Sequence, residues 1–220
     1  MFTARLNQQI YAFATRVFRR RRFVLFQGFM AALPRPVTVL DVGGSGDFWV
    51  QMGYADPPGA EAVGLRITFV NRDPARAGSA SRLVAGDARG LPFPDRAFDV
   101  VFAHSVIEHL GSRAGQEKMA AEMRRVGCHF FVQTPNRNFP VEPHFLIPCF
   151  QFLPLEWRAR LLVGLRVEYF FVRISTLKRA REVAQEIVLL TKPEFQNLFP
   201  GGKLVEEKVF VLTKSFTIFG

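Results

Sequence analysis

Apolar residues near the start of the chain recur at helical spacing. Five of them are separated by steps of three or four positions and therefore share one face of a helix: Phe2, Leu6, Ile10, Phe13 and Val17. The pattern predicts a helix over residues 1–34. Pro34 and Pro36 end it, because proline cannot continue a helix.

Short runs of apolar and β-branched residues follow, and helical patterns separate them. Five runs are predicted to be strands: residues 38–40, 66–70, 83–84, 98–102 and 129–132. Helices are predicted after Pro74 and over residues 114–126. Strands that alternate with helices in this way favour a parallel, doubly wound sheet.

The pattern changes after the fifth strand. Residues 134–160 are rich in proline and aromatic residues and predict a long structured insertion. Residues 166–186 are predicted to be helical and basic, and Thr191 is expected to cap a last helix that ends at Leu198. Two final strands lie too close together for a helix between them, so they are expected to be antiparallel neighbours: residues 203–210 and 213–219.

These elements predict an α/β fold with a Rossmann-like, doubly wound, seven-stranded mixed sheet whose last two strands are antiparallel. The predicted organisation is a basic amphipathic helical extension over residues 1–36 and one domain over residues 37–220. The insertion at residues 135–165 is expected to form a lid together with the extension.

Positive charge is concentrated at the start of the chain. Residues 1–40 contain seven arginines and no lysine, aspartate or glutamate, so they carry +7 of the net charge of +10. The arginines have three interpretations: a solvated helix face that covers the ligand cleft, a helix over residues 1–35 that lies on an anionic membrane surface, or a nucleic-acid patch. Base-stacking aromatic residues are not interleaved with them, which disfavours a nucleic-acid partner.

Cysteine spacing and targeting signals limit the cellular locations that are expected for this chain. Cys128 and Cys149 lack metal-ligand spacing, so neither a metal site nor a disulfide framework is expected. No apolar run reaches the ~20 residues that span a bilayer. Arg20-Arg21-Arg22 resembles a twin-arginine export signal, but Gln27 interrupts the apolar stretch behind it. We expect a cytoplasmic protein, peripheral at the membrane if the basic helix binds lipid.

A glycine-rich turn follows the first predicted strand, where Asp41 precedes Gly43, Gly44, Ser45 and Gly46. Glycine lets a backbone turn sharply and approach a ligand closely. The spacing does not match the GxGxxG pattern of dinucleotide sites, which disfavours a nicotinamide-dependent oxidoreductase. Four further motifs follow in order: Gly86-Asp87-Ala88, Leu91-Pro92-Phe93-Pro94-Asp95, Phe98-Asp99-Val100-Val101 and Ser105-Val106-Ile107-Glu108-His109-Leu110.

In this order and spacing, the motifs resemble the class I S-adenosylmethionine-dependent methyltransferases, specifically the small bacterial branch called type 11, over residues 37–135. The resemblance implies that S-adenosylmethionine is the cofactor and that these residues contact it: Asp41, Gly43, Gly44, Ser45, Gly46, Asn71, Arg72, Asp73, Asp87, Ala88, His104 and Ser105. Asp41 would orient the methionine portion, Asp87 would accept from the adenine amino group, and His104 and Ser105 would lie under the sulfonium.

The chain departs from the family pattern at three positions. Ser45 and Asp47 stand where the family usually has glycine. Asn71 stands where the family usually has an acidic residue that grips both ribose hydroxyls. An amide can accept one hydrogen bond and donate another but lacks the strength of a charge. Asp73 lies two residues further along and is an alternative partner.

Two histidines and one glutamate are candidates for catalysis. Glu142 and His144 lie in a phenylalanine-rich loop after the fifth strand, which hangs over the reactive end of the cleft in this class of sheet. His109 follows Glu108 at the start of a short helical pattern. Each histidine is either an acid–base residue or a structural one, whereas His129 is expected to be only packed.

The predicted reaction is transfer of a methyl group to oxygen of an unidentified apolar or amphiphilic small molecule or lipid. The segment Ala103-His104-Ser105-Val106 is not the Asn-Pro-Pro-aromatic motif that holds a base, so methylation of nucleic-acid bases is disfavoured. A non-catalytic binding module and an RNA methyltransferase remain the alternatives, and the sequence does not determine the oligomeric state.

Overall fold

The computed structural model describes residues 17–54, 64–73, 82–169 and 172–220. Two predictions concern segments outside the described residues. One is the first part of the amphipathic helix, residues 1–16, which contains four of its five periodic apolar residues. The other is the helix predicted after Pro74.

A seven-stranded mixed sheet forms the centre of the molecule, in the order β3-β2-β1-β4-β5-β9-β8. The strands, together with the separate hairpin β6–β7, have these bounds: β1 Val37–Val42, β2 Leu65–Asn71, β3 Leu83–Ala85, β4 Phe98–His104, β5 Gly127–Pro135, β6 Glu168–Tyr169, β7 Val172–Arg173, β8 Lys203–Val209 and β9 Leu212–Phe219. The first five strands run parallel, and β9 runs antiparallel to both β5 and β8. The predicted fold class is confirmed.

Helices cover both faces of this sheet: α1 over residues 17–30, α2 Gly46–Gln51, α3 Arg113–Val126, α4 Leu155–Gly164, α5 Leu177–Glu186 and α6 Lys192–Leu198. On one face, Met119 and Met123 of α3 and Phe195 of α6 are fully buried. On the other face, Phe26 of α1 lies 5.7 Å from Trp49 of α2 and 5.0 Å from Phe102 of β4, measured between ring centroids. The basic helix therefore contributes directly to the core.

Local sequence signals explain how α3 and α6 begin. Ser112 precedes α3, and its side chain accepts a hydrogen bond from the amide of Gly115. At the start of α6, Thr191 and Glu194 form a reciprocal capping box, which satisfies amides that the helix leaves without partners. The capped last helix that Thr191 predicted is confirmed.

The insertion between β5 and α6 is longer than predicted and has its own apolar core. It runs from Asn136 to Leu190, beyond the expected limit of residue 165, and buries residues such as Phe150 and Leu162. The predicted helix over residues 166–186 is wrong in its first part. There β6 pairs with β7, and α5 begins only at Leu177.

The residue types explain this correction. Val167, Tyr169, Val172 and Ile174 are β-branched or aromatic, and such residues favour strands. Thr176 then starts α5, because its hydroxyl accepts a hydrogen bond from the amide of Arg179. Among the described residues, no helix has both the length and the apolar character needed to cross a bilayer.

Candidate functional site

A deep cleft opens at the carboxyl ends of the parallel strands. It lies beside β1 and β4, where the strand order reverses direction, which is the usual ligand position in open α/β sheets. Its volume is about 1380 Å³, enough for a nucleoside-sized ligand together with a second molecule. The elements around it are α1, the turn after β1, the ends of β2 to β5, the insertion and the β8–β9 hairpin.

The glycine-rich turn holds a buried carboxylate at the floor of the cleft. Asp41 is the penultimate residue of β1 and is 1% exposed, and its Oδ2 accepts a 2.7 Å hydrogen bond from Nε1 of Trp49. Oδ1 of Asp41 is buried and has no hydrogen-bond partner among the described residues. Burial raises the pKa of Asp41 to about 7, and the Trp49 hydrogen bond opposes this shift.

Two glycines are required by the geometry of this turn. A Cβ atom at Gly44 would overlap with the carboxylate of Asp41, so only glycine lets the backbone of the turn lie this close to that carboxylate. Gly43 has a φ of +73°, which favours glycine, and a Cβ there would lie 2.9 Å from Cγ1 of Val106. Ser45 and Gly46 then begin α2, and the Ser45 side chain caps no amide of that helix.

The ends of β2 and β3 place polar groups at the next part of the cleft. Asn71 ends β2, and its Nδ2 lies 3.5 Å from the carbonyl oxygen of Gly44, while its Oδ1 accepts a hydrogen bond from the amide of Asp73. Asp87 follows β3, and both of its carboxylate oxygens accept hydrogen bonds from the side chain of Arg89. These bonds lower the pKa of Asp87 to about 2.

Arg72 and Ala88 complete this region. Nε of Arg72 lies 3.5 Å from Oδ2 of Asp87, at a position where the arginine side chain is 72% exposed. An ion pair this exposed contributes little to stability. Ala88 lies beside Asp87 on the wall of the cleft.

The end of β4 forms the centre of the cleft. His104 is packed against the rings of Phe48 and Phe102, and its Nε2 is buried without a hydrogen-bond partner among the described residues. Burial, together with the positive charges of Arg22 and Arg19, lowers the pKa of His104 well below its usual value. Ser105 adopts a left-handed conformation, with φ of 55°, and its hydroxyl donates to Oε1 of Gln133 at 2.8 Å.

The predicted catalytic residues meet at the end of the cleft that the insertion covers. Nδ1 of His144 lies 2.6 Å from Oε1 of Glu142, and Oε2 of Glu142 accepts hydrogen bonds from the backbone amides of His144 and Phe145. Burial opposes protonation of His144, but the hydrogen bond and charge of Glu142 outweigh it and raise the pKa of His144.

His109 faces His144 across this end of the cleft. Their ring centroids are 4.8 Å apart and the rings are nearly perpendicular. Nδ1 of His109 lies 3.3 Å from the hydroxyl of Tyr169 and 3.9 Å from a carboxylate oxygen of Glu186. Burial and the charge of His144 lower the pKa of His109 to about 3, so its imidazole is neutral at pH 7.

One carboxylate in this region was not predicted. Glu108 is fully buried, and its Oε2 accepts a 3.1 Å hydrogen bond from Thr134. Its Oε1 has no hydrogen-bond partner within the described part of the chain. Burial raises the pKa of Glu108 to about 7. The EH pair of the sequence was the available signal, but a sequence does not show which of two neighbours points inward.

The cleft mouth combines apolar and cationic side chains. Nζ of Lys214 lies 3.9 Å from the ring centroid of Phe18, and Nε of Arg22 lies 3.4 Å from a carboxylate oxygen of Glu207. Arg19 lines the same mouth. Burial lowers the pKa of Lys214, Glu207 opposes that shift, and the charges of Arg22 and Arg19 reinforce it.

Most of the residues predicted from the sequence line the cleft: Asp41, Gly43, Gly44, Ser45, Asn71, Arg72, Asp73, Asp87, Ala88, His104, Ser105, His109 and His144. Gly46 and Glu142 do not line it and are buried. The sequence analysis missed four residues of the site: Trp49, Arg89, Glu108 and Tyr169. Glu108 and Tyr169 act through contacts with residues distant in the chain, whereas Trp49 contacts Asp41 across the turn after β1 and Arg89 contacts Asp87 within a short turn.

Comparison with known proteins finds similarity to methyltransferases over the part of the chain that forms much of this cleft. Residues 40–128 match the family model described as a methyltransferase domain, in its type 11 form. A protein of Encephalitozoon cuniculi named as a methyltransferase is 48% identical over 64 residues, which is 29% of this chain and 30% of the relative. The demethylmenaquinone methyltransferase of Roseiflexus castenholzii is 34% identical over 102 residues, 44% of this chain and 42% of the relative. The chain thus matches less than half the length of these curated relatives.

Solved structures share the fold at low sequence identity. The PH0226 protein of Pyrococcus horikoshii has a TM-score of 0.51 at 20% identity, over 92% of this chain and 89% of that chain. The 1,6-didemethyltoxoflavin-N1-methyltransferase of Burkholderia thailandensis, solved with its substrate and S-adenosylhomocysteine, has a TM-score of 0.54 at 14% identity, over 99% and 84% of the two chains. Over residues 40–128 the chain is thus similar to the type 11 methyltransferase domain, and its mixed sheet shares the fold of these solved structures.

Proposed function

We propose that the chain binds S-adenosylmethionine and transfers its methyl group to an oxygen atom of an amphiphilic small molecule or lipid. The observation that carries the proposal is the floor of the cleft. There, the buried Oδ1 of Asp41 lacks a partner among the described residues, and Gly44 leaves no side chain between the turn and the ligand space. A buried carboxylate oxygen without a partner favours a cationic ligand group.

The residues present fit the cofactor. Asp41 would pair with the amine of its methionine portion, which would restore the ionised form of a carboxylate that burial disfavours. Asn71 and Asp73 would hold the ribose, and Asp87 with Ala88 would hold the adenine. When bound, S-adenosylmethionine supplies an electrophilic methyl group on a sulfonium centre. The chain's own tasks are to align the acceptor with that group and to exclude water.

Transfer to a hydroxyl oxygen also needs a group that removes its proton. His109 and His144 line the same end of the cleft, and either imidazole would be placed to accept that proton. Glu142 is buried behind His144 and does not line the cleft, so we assign it to positioning the ring of His144.

The cleft mouth supports an amphiphilic acceptor with an acidic group. Apolar side chains on its walls would bury an apolar body: Phe18, Phe48, Phe139, Val141 and Leu146. Arg19, Arg22 and Lys214 bring positive charges close together beside the carboxylate of Glu207, and these cations favour an anionic group on the acceptor.

The β8–β9 hairpin supports contact with an anionic lipid surface. Its tip presents Phe210 at 97% exposure and Val211 at 86% exposure, and Leu212 follows. The hairpin also contributes Val209 and Lys214 to the cleft mouth, so an acceptor held in a lipid layer would have a short path into the cleft. The net charge of +10 complements anionic headgroups.

Two observations favour a second candidate, a non-catalytic binding module. Arg89 occupies both carboxylate oxygens of Asp87, and Asn71 lacks the charge of the usual acidic residue. The two candidates differ in cofactor affinity, which calorimetric titration with S-adenosylmethionine and S-adenosylhomocysteine measures directly. We expect micromolar binding that is lost in Asp87→Ala and kept in Asp95→Ala, a control whose carboxylate is exposed and outside the cleft.

Failure to bind either cofactor form would refute the methyltransferase proposal and favour the binding module. Where binding is found, transfer of a radiolabelled methyl group to lipid and polar fractions of a metabolite extract tests the acceptor. We expect label in an acidic, organic-soluble product. Label confined to polar neutral products would refute the amphiphilic acceptor while leaving the enzyme class intact.

A further inference from the structure

Three side chains at the acceptor end of the cleft form a cluster of metal-ligand type. Each of Glu108, His109 and His144 offers one ligand atom, and these atoms all lie within 4.8 Å of one another. Glu108 and His109 lie on the short 3-10 helix Ile107–His109 that follows β4, and His144 lies in the loop that follows β5. Two separate elements therefore bring the cluster together.

The carboxylate of Glu108 lacks the partner that its burial requires. The side chain is 0% exposed, Thr134 donates to Oε2, and within the described part of the chain nothing donates to Oε1. Burying a carboxylate costs free energy unless the group is paired with a cation or coordinates a metal. A cation between Glu108 and the two imidazoles would satisfy this oxygen.

Neighbouring groups orient both imidazoles as ligands are oriented in metal sites. Nδ1 of His144 is taken by Glu142 at 2.6 Å, which leaves Nε2 for a metal ion. Nδ1 of His109 contacts the hydroxyl of Tyr169 at 3.3 Å, which likewise leaves Nε2. Metal-ligating histidines almost always use their second ring nitrogen in this way, most often toward a carboxylate.

Glu142 is itself held in place by the backbone. Its Oε2 accepts hydrogen bonds from the amides of His144 and Phe145, at 2.8 and 2.7 Å. A fixed carboxylate behind a histidine ring restricts that ring to one orientation. The cluster thus has three candidate ligands, and two of them, His144 and His109, are oriented by Glu142 and Tyr169.

We propose that Glu108, His109 and His144 bind one first-row divalent cation. Two imidazoles with one carboxylate suit zinc, manganese, iron or cobalt, and three protein ligands leave coordination positions open. His109 and His144 line the cleft, so the open positions face the acceptor space. Binding of the cation does not depend on the methyltransferase proposal, but its catalytic role does.

In that role, the cation would bind the acceptor oxygen. It would stabilise the alkoxide or phenolate as the hydroxyl proton leaves to water. The new oxygen–carbon bond then forms as the carbon–sulfur bond of the cofactor breaks, leaving S-adenosylhomocysteine. The histidines would act as ligands in place of a general base.

The test is titration of chelator-stripped protein with Co²⁺, followed by its visible absorption and by thermal unfolding. We expect one equivalent to bind, with the spectrum of a histidine-ligated ion and a raised melting temperature. The variants Glu108→Gln, His109→Gln and His144→Gln should each weaken binding at least about tenfold, and Glu142→Gln about ten- to a hundredfold. His129→Gln, on β5 and outside the cluster, should bind like the wild type.

Glu108→Gln separates loss of the site from misfolding. Glutamine has the same shape but carries no buried charge, so the metal-free variant should melt at or above the wild-type temperature and still fail to gain stability from Co²⁺. Absence of Co²⁺, Zn²⁺ and Mn²⁺ binding to the wild type, or binding that Glu108→Gln leaves unchanged, would overturn the proposal. Calorimetry with S-adenosylmethionine on the stripped protein tests the cofactor site separately.

Discussion

The indole Nε1 of Trp49 lies 2.7 Å from Oδ2 of Asp41, and within the described part of the chain it is the one side-chain donor to that buried carboxylate. Trp49→Phe removes the donor and keeps most of the apolar ring. An unsatisfied buried acceptor costs about 1–3 kcal/mol. We therefore expect weaker binding of S-adenosylmethionine, by about tenfold in calorimetry.

The control for this change is Tyr54→Phe. The Tyr54 ring packs against Trp49 at a centroid distance of 5.9 Å, but its hydroxyl lies near Gln27, away from Asp41. Equal cofactor affinity in Trp49→Phe and the wild type would mean that this hydrogen bond does not prepare Asp41 for the ligand.

The raised pKa of Asp41 predicts a pH-dependent stability. Between the ordinary pKa of 3.8 and the folded value of about 7, the folded state binds the proton more tightly than the unfolded state. Stability contributed by this group is therefore lost as pH rises through that range, by at most about 1.4 kcal/mol per pH unit. Asp41→Asn carries no titrating group there.

Denaturant unfolding of the wild type and of Asp41→Asn from pH 4 to pH 8, in the presence of a chelator, measures this effect. The wild type should lose stability relative to the variant as pH rises, and the difference should level off above pH 7. Parallel curves would show that Asp41 titrates near its ordinary pKa in the folded protein.

Gly44→Ala should abolish cofactor binding, because the new Cβ would overlap with the carboxylate of Asp41. Relief of the overlap must move the turn or the aspartate, at a cost of about 1–3 kcal/mol of stability. Gly28→Ala is the matched control, since a Cβ there meets no atom within 4 Å and alanine favours the helix. Calorimetry and thermal unfolding of both variants give the comparison, and unchanged binding in Gly44→Ala would contradict the proposed role of the turn.

Asn71→Asp should tighten cofactor binding. A carboxylate accepts hydrogen bonds from ribose hydroxyls with the added strength of charge, which is worth ~1 kcal/mol, or about fivefold in affinity. Asp73→Asn tests the neighbouring position in the same titration. If Asn71→Asp changes nothing and Asp73→Asn loses binding, the ribose is held by Asp73.

Replacement of the exposed hairpin tip should release the protein from lipid. Burying one large apolar side chain in a membrane gains about 1.5–3 kcal/mol. Phe210→Ser with Val211→Ser should therefore lower binding to vesicles that contain anionic phosphatidylserine more than tenfold in sedimentation assays. Val50→Ser, an exposed position on α2, is the control, and equal vesicle binding by the tip variant and the wild type would exclude the hairpin as the contact.

Local patterns predicted most of the fold. The β-branched runs identified β1 and β4, and the Thr191–Glu194 pair identified α6, because neighbouring residues determine these elements. The hairpin β6–β7 was missed because basic residues around it suggested a helix. The β-branched and aromatic residues of this segment, which favour strands, were a local signal that the sequence already contained.

The candidate site was likewise predicted only in part. The family resemblance implied that Asp41 and Asp87 contact the cofactor, and both line the cleft. The contact between Trp49 and Asp41, and the inward position of Glu108, depend on how α2 and the 3-10 helix rest on the sheet. The spacing of residue types does not report the angle at which a helix packs on the sheet, so it did not predict these two positions.

The packing of α1 limits how the basic segment can be studied. Phe23, Phe26 and Met30 fill one face of the sheet, so a protein shortened to begin at residue 37 would present that face bare to water. Loss of RNA or lipid binding after such a deletion would report unfolding instead of lost charge. Arg20 and Arg21 are exposed on the same helix, and charge reversal there would remove the basic surface while the sheet keeps its cover.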